Sequence, residues 1–289
     1  MKTPWRPSMA EYHQAEGISA SFLSSVFEHG LSGALMRRRS ERQCRKAPHL
    51  LIGSYVHAVL QSVVIPIAPA PVWMENRKSR DYKEFEKQAL RAGFEGMLLH
   101  AEIQAANALC NRLQLGSSPA QRQIRGLLFE KNFKRWPEVS HRWQPPEVEI
   151  TCKVRPDMLI QMGDRVVQVC IKTHGGCLRP EPWWNFWANY PHPDRRPGWH
   201  LTSAAFHWAG MLDLFGQEIP QLWVVGRTEH PYPWALHEIS TASSAGRGYL
   251  WADKSAQELL EETWHGKIIP ELQDIADGRE WGREERGLE

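Results

Sequence analysis

The residues best suited to chemistry gather around "VVQVCIKTH", positions 166–174. The stretch reads as a strand, and side chains two apart on a strand share a face. Gln168, Cys170 and Lys172 therefore point one way, and Val167, Val169 and Ile171 the other. Asp157, in "VRPDML", belongs on or just after the preceding strand, joined to the lysine strand by the short "QMGD" turn. His57 sits one helical turn after Gly53. Aspartate and imidazole suit a divalent metal, and a lysine beside the metal can position or deprotonate a water. Attack on a phosphodiester needs those parts: charge neutralisation, a nucleophile and a cation near the developing negative charge. Taken singly, each has a plainer reading, since an Asp after Pro is commonly a turn residue and a lone His a core or boundary residue. The ordered set at hairpin spacing is what points to a pocket.

Several elements must position these residues. "EGISASFLSSVFEHGLSGALMRR" predicts an amphipathic helix capped by Ser19 or Ser21. "HLLIGSYVHAVLQSVV" predicts a second helix carrying Gly53 and His57. The proline-broken, basic "PIAPAPVWMENRKSRD" reads as an exposed loop, and two further helices follow in "YKEFEKQALRAGFEGM" and "HAEIQAANALCNRLQL". From Pro137 the period changes. "EVSHRW", "VEITCKVRPDMLIQM" and "RVVQVCIKT" read as consecutive strands with turns at "QPPE" and "MGD". "WHLTSAAFHWAGMLDLFG" predicts a helix ended by Gly216, "PQLWVVGRTE" and "PYPWALHEIS" a hairpin, and a last helix starts near Ser255. Without internal repeats, this order suits an α/β domain with a mixed sheet. The charged tail "DGREWGREERGLE" reads as frayed.

A chain of 289 residues can bury a substantial core, and 42% hydrophobic with 24% charged residues is ordinary for a globular protein. A net charge of +2 argues for no particular partner, but "RRRSERQCRK" packs six basic residues into positions 37–46. That run is either a solvated face or a phosphate-tracking patch. No signal peptide is read, and no apolar run approaches the roughly 20 residues of a membrane span, so no membrane partner is expected. The cysteines (Cys44, Cys110, Cys152, Cys170, Cys177) are odd in number and lack a CxxC pair, which suggests reduced thiols and a cytoplasmic protein. Three of the fourteen tryptophans crowd into "EPWWNFWANY", as packing or as a base-stacking platform.

In chain order, "EYHQAEGISASFL", "GSYVHAVL", "NRKSRDYKEF", "EVSHRWQPPEVEITCKVRPDML", "VVQVCIKTH" and "LWVVGRTEHPYPWALHEI" make a recognisable series. It resembles the exodeoxyribonuclease VIII (RecE-type) branch of the PD-(D/E)XK nucleases, the recombination nucleases of phages and prophages. The resemblance spans nearly the whole chain. It implies an α/β, restriction-endonuclease-like fold, a mixed central sheet flanked by helices. One domain would cover 1–289, mainly helical over 1–135 and sheet-bearing over 136–275, with the tail at 276–289. By the resemblance, His57, Asp157 and the backbone carbonyl of Ile171 would hold Mg²⁺ or Mn²⁺, Lys172 would act on the attacking water, and Glu138 would stand near the DNA end. The implied activity is 5′→3′ degradation of linear duplex DNA from its ends. A single-strand annealing protein and a ring-like homo-oligomer would be the partners. Arg37, Arg38, Arg39, Arg77, Lys78 and Arg80 are the candidates for phosphate contacts.

The pattern also breaks. The family places Asp or Glu two residues before the lysine, where this chain has Cys170, and Gln and Tyr on the next helix, where it has Ser203 and His207. Mg²⁺ favours oxygen and thiolate is soft, so the exchange removes a charge and a good donor. Three readings follow. One is an active nuclease whose carboxylate has moved to Glu138, Glu149 or Asp164. Another is a degenerate nuclease fold that binds DNA or a protein. The third is a Zn²⁺ or redox site built from Cys152, Cys170, Cys177, His174 and His57. An iron–sulfur version is set aside, because no cysteine follows Cys177.

Overall fold

The computed structural model describes residues 9–41, 47–174, 199–228, 230–239 and 256–278. The chain opens with a short helix α1 (Met9–Gln14) and a long α2 (Ala20–Glu41). Ser19 caps α2, its hydroxyl accepting from the Phe22 N–H at 3.3 Å, and Gly30, with φ of 73°, kinks it. Helix α3 (Pro48–Gln61) has proline in its first turn, where no intrahelical donor is lost. Then come β1 (Ile67–Pro69), α4 (Arg80–Arg91), β2 (Gly96–Leu98), α5 (His100–Leu115) and α6 (Pro119–Phe129). Strands β3 (Lys134–Pro137), β4 (His141–Trp143), β5 (Cys152–Val154), β6 (Met158–Met162) and β7 (Arg165–His174) follow. The rest is α7 (Trp199–Phe215), β8 (Gln221–Arg227), β9 (Trp234–Ile239), α8 (Ala256–Thr263), a π-helical turn (Trp264–Ile268) and α9 (Ile269–Ala276).

The main sheet runs β3-β6-β7-β8-β9, with β7 and β8 parallel and the other pairs antiparallel. It is therefore a mixed α/β sheet with β7 at its centre. The alternation along β7 splits the protein into two cores. Val167, Val169 and Ile171 pack with Leu51 of α3, Leu109 of α5 and Ile124 of α6. Cys170, on the other face, packs with Phe206 and Ala209 of α7 and with Trp143 and Trp264. Gly53 brings α3 onto the end of β7, since a Cβ there would lie 3.1 Å from the Thr173 hydroxyl.

Three expectations are corrected. "VEITCKVRPDMLIQM" is two strands in separate sheets, because β5 pairs with β4 and β6 joins the main sheet. Pro156 lies at the break and has no N–H for a ladder. "EVSHRW" is a strand only from His141, since Glu138 takes a left-handed φ of 53° that separates β3 from β4. The segment read as an exposed loop instead contains β1, paired in parallel with β2, and buries Met74 and most of Arg77. Among the described residues no helix is long and apolar enough to cross a membrane.

Candidate functional site

Just before β6 begins, β7 continues past the Met158–Val169 pair, and Asp157 meets the main-chain edge of β7 there. Its carboxylate Oδ2 accepts from the Ile171 N–H at 2.7 Å, while its own carbonyl accepts from the Glu138 N–H at 3.0 Å and the Gln61 side chain at 2.8 Å. In an extended strand the N–H and C=O of one residue leave on the same side, so the Ile171 carbonyl points to this edge too. The position of Asp157 is thus fixed by backbone geometry before any ligand is considered.

Helix α3 supplies the second group. His57 and Gln61 are four apart and share a face. Gln61 binds the Asp157 main chain, and His57 Nδ1 stands 3.5 Å from Asp157 Oδ1. Strand β7 supplies the third: Lys172 Nζ lies 3.9 Å from Asp157 Oδ2 and 5.7 Å from the ring centre of Trp223. Burial alone would raise the Asp157 carboxyl. The neighbouring His57 and Lys172, with hydrogen bonds from His57 and the Ile171 amide, outweigh it and hold the group well below the usual carboxylate range.

These side chains open onto a cavity of about 710 Å³ whose walls also include Tyr12, Glu95, Glu138, Lys153, Arg155, Ser203 and His207. The N-terminal segment closes one side. Gly17, at φ of 122°, lets Ile18 bridge to β5, with the Ile18 N–H on the Thr151 carbonyl at 2.8 Å. The buried Lys153 ammonium donates to the carbonyls of Tyr12 (2.8 Å) and Ala15 (2.6 Å) and lies over the Tyr12 ring. Burial, partly opposed by Arg155, pushes the Tyr12 hydroxyl up to about 12. Arg155 pairs with Glu138.

Cys170 lies behind Asp157 and Lys172, 1% exposed. Its sulfur takes a 3.2 Å contact from the Gln168 amide and stands 3.5 Å from His207 Nδ1. The same amide donates to His207 Nδ1 at 2.6 Å. Burial pushes the thiol up to about 12, so it is protonated at neutral pH. Burial, aided by Lys172 and opposed by Asp157, pushes His207 down to about 4, so its imidazole is neutral. A thiol, an amide and a neutral imidazole thus occupy the ground beside Asp157. Among the described residues no group of three or more His, Cys, Asp or Glu side chains stands at metal-holding spacing. The residues present do not fit a resident Mg²⁺: the cation favours oxygen donors, and beside the Asp157 carboxylate stands a neutral, soft thiol.

The remaining candidates are scattered. Of the alternative carboxylates, Glu138 lines the cavity, while Glu149 and Asp164 are exposed and Asp164 occupies the turn at the far end of β7. Arg77 is bound to Glu102, Tyr82 and the Met97 carbonyl, whereas Lys78 and Arg80 are exposed. Arg37, Arg38 and Arg39 end α2, and their side chains, like residues 42–46, lie outside the described residues. So do Cys177, the His174 side chain and "EPWWNFWANY". The described cysteines Cys110, Cys152 and Cys170 are free and buried. Reading the sequence by motif gave no role to Lys153 or Arg155, which lie in the "KVRPD" run, and did not single out Gln61 or Glu95. The four-residue spacing from His57 to Gln61, and the alternation Lys153, Arg155, Asp157, were the signals available for three of them.

No family model matches the chain, and no curated protein matches it in sequence. Its structure is similar to the crystal structure of a protein named "putative exonuclease" from Eubacterium rectale. The TM-score is 0.54 at 12% identity, over 95% of this chain and 88% of the other. That likeness is one of fold, a mixed central sheet flanked by helices.

Proposed function

We propose that this chain is a DNA-end-binding protein of the nuclease-like fold, whose pocket receives a backbone phosphate but hydrolyses it poorly. The observation that carries the reading is Cys170: a buried, protonated thiol, held by Gln168 and His207, in the place beside Asp157 and Lys172 where a second carboxylate would complete a cation site. Lys172 and Arg155 give the cavity cations for a phosphate, with the Lys153 charge held by the Tyr12 and Ala15 carbonyls, and Glu95, Glu138 and Asp157 offset them. Anionic substrate then binds through particular pairings rather than through an excess of positive charge.

The test is fluorescence anisotropy with labelled linear duplex DNA in chelator, competed by linear and by circular DNA. Binding that persists without metal, is competed by ends and is weakened by Lys172→Ala supports the reading. Binding that requires a divalent ion, or that ignores ends, contradicts it. A metal-dependent exonuclease using Mg²⁺ or Mn²⁺ is the second reading. Glu138 favours it, because this cavity-lining carboxylate stands on a left-handed backbone, and strained backbone concentrates at functional sites. For that reading Glu138 must leave Arg155.

A further inference from the structure

Asp157 draws the Lys172 ammonium from one side, and among the described residues an indole ring lies on another. Trp223 on β8 is the register partner of Cys170 in the parallel β7–β8 ladder, and it faces the same side of the sheet as Lys172. Its ring is 2% exposed, and the Lys172 ammonium lies 5.7 Å from the ring centre. The ring itself is fixed. Its Nε1–H donates to Gln221 Oε1 at 2.9 Å, and the Gln221 amide donates to the Ala204 carbonyl of α7 at 3.0 Å. An indole face attracts a cation, and more strongly where water is excluded. The ammonium is thus bracketed by a carboxylate on one side and a clamped π face on the other.

We propose that Trp223 is a positioning residue that holds Lys172 against Asp157 through the face of its ring. This rests on geometry that is independent of whether the cavity binds DNA. It also assigns the Gln221–Ala204 contact a role in orienting the lysine, through the ring.

The experiment has two readouts on the full chain. The first needs no DNA: the NMR resonances of the Lys172 ε-methylene, assigned with Lys172→Met, are displaced by the ring current of Trp223. Trp223→Phe should keep a reduced displacement, and Trp223→Leu should abolish it while the other lysines stay put. An unchanged Lys172 signal in Trp223→Leu overturns the proposal. The second is end binding. Trp223→Leu should weaken it by about three- to thirtyfold, the span expected for a partly to fully desolvated cation–π contact. Trp223→Phe should recover most of the loss, and Trp223→Leu should add little on top of Lys172→Met. Full additivity of the two changes, or a Phe variant as weak as Leu, overturns the positioning role. Absence of DNA binding in wild type sinks the proposed function but leaves the first readout decisive for Trp223.

Discussion

His207 should make the fold lose stability in mild acid, and in a measurable window. Its Nδ1 accepts from the Gln168 amide, and burial, aided by Lys172, pushes it from 6.5 down to about 4. As pH falls below 6.5 the unfolded chain takes up a proton that the folded chain refuses. Stability is therefore lost between about pH 6.5 and about pH 4, and levels off below that. A shift of this size amounts to about 3 kcal/mol across the whole window, at about 1.4 kcal/mol per pH unit. Most of it should be gone by about pH 4.5. His207→Gln keeps a polar group beside Gln168 but cannot titrate. Urea unfolding of both proteins in chelator, at about pH 7 and about pH 4.5, isolates the contribution as a difference of differences. The variant should fall behind wild type at neutral pH, or match it, and overtake it by about 2–3 kcal/mol of relative stability in acid. Parallel pH profiles for the two proteins would refute a neutral, buried His207.

Gly53→Val should push α3 away from Thr173 and displace His57, at a cost of about 1–3 kcal/mol of stability by thermal or urea unfolding, with weaker end binding. Gly53→Ala should cost less, because alanine regains about 1 kcal/mol of helix propensity. Arg77→Ala should lower stability by about 1–3 kcal/mol, because it leaves the partly buried Glu102 carboxylate the Leu99 N–H but not its cation, yet leave the salt dependence of DNA binding unchanged. Lys78→Ala and Arg80→Ala should do the opposite, each reducing the slope of log affinity against log salt by about 1 if it contacts a phosphate. An unchanged slope in both would remove this surface from the DNA path.

What the sequence disclosed followed from short-range rules. The alternation along β7 put Cys170 and Lys172 on one face and Val167, Val169 and Ile171 on the other, because a period of two survives any tertiary context. The spacing of Gly53 and His57 gave a helix that could lie close to a strand and present an imidazole, and α3 does both. What stayed hidden depends on partners remote in the chain. Strands β1 and β2 are three residues each, too short to show a period, and exist because they pair with each other across α4. Arg77 looked like a free cation until Glu102, 25 residues on, was seen to hold it. Cys170 departs from the motif that the sequence resembles, but only the fold brings Gln168 and His207 around it and makes its surroundings closed and neutral.

Cleavage of end-labelled linear duplex DNA tests the proposed role of the Cys170 site most directly. Wild type, Lys172→Ala and Cys170→Asp would be compared in Mg²⁺ and in Mn²⁺. A carboxylate at 170 would stand near His207 Nδ1 and could pair with it, so Cys170→Asp combined with His207→Gln belongs in the same assay. Wild type should bind the DNA without appreciable cleavage, and the aspartate variants should gain metal-dependent cleavage, the double variant more than the single. Cleavage by wild type that Lys172→Ala abolishes would contradict that role, and would mean that another carboxylate, Glu138 first among them, completes the site.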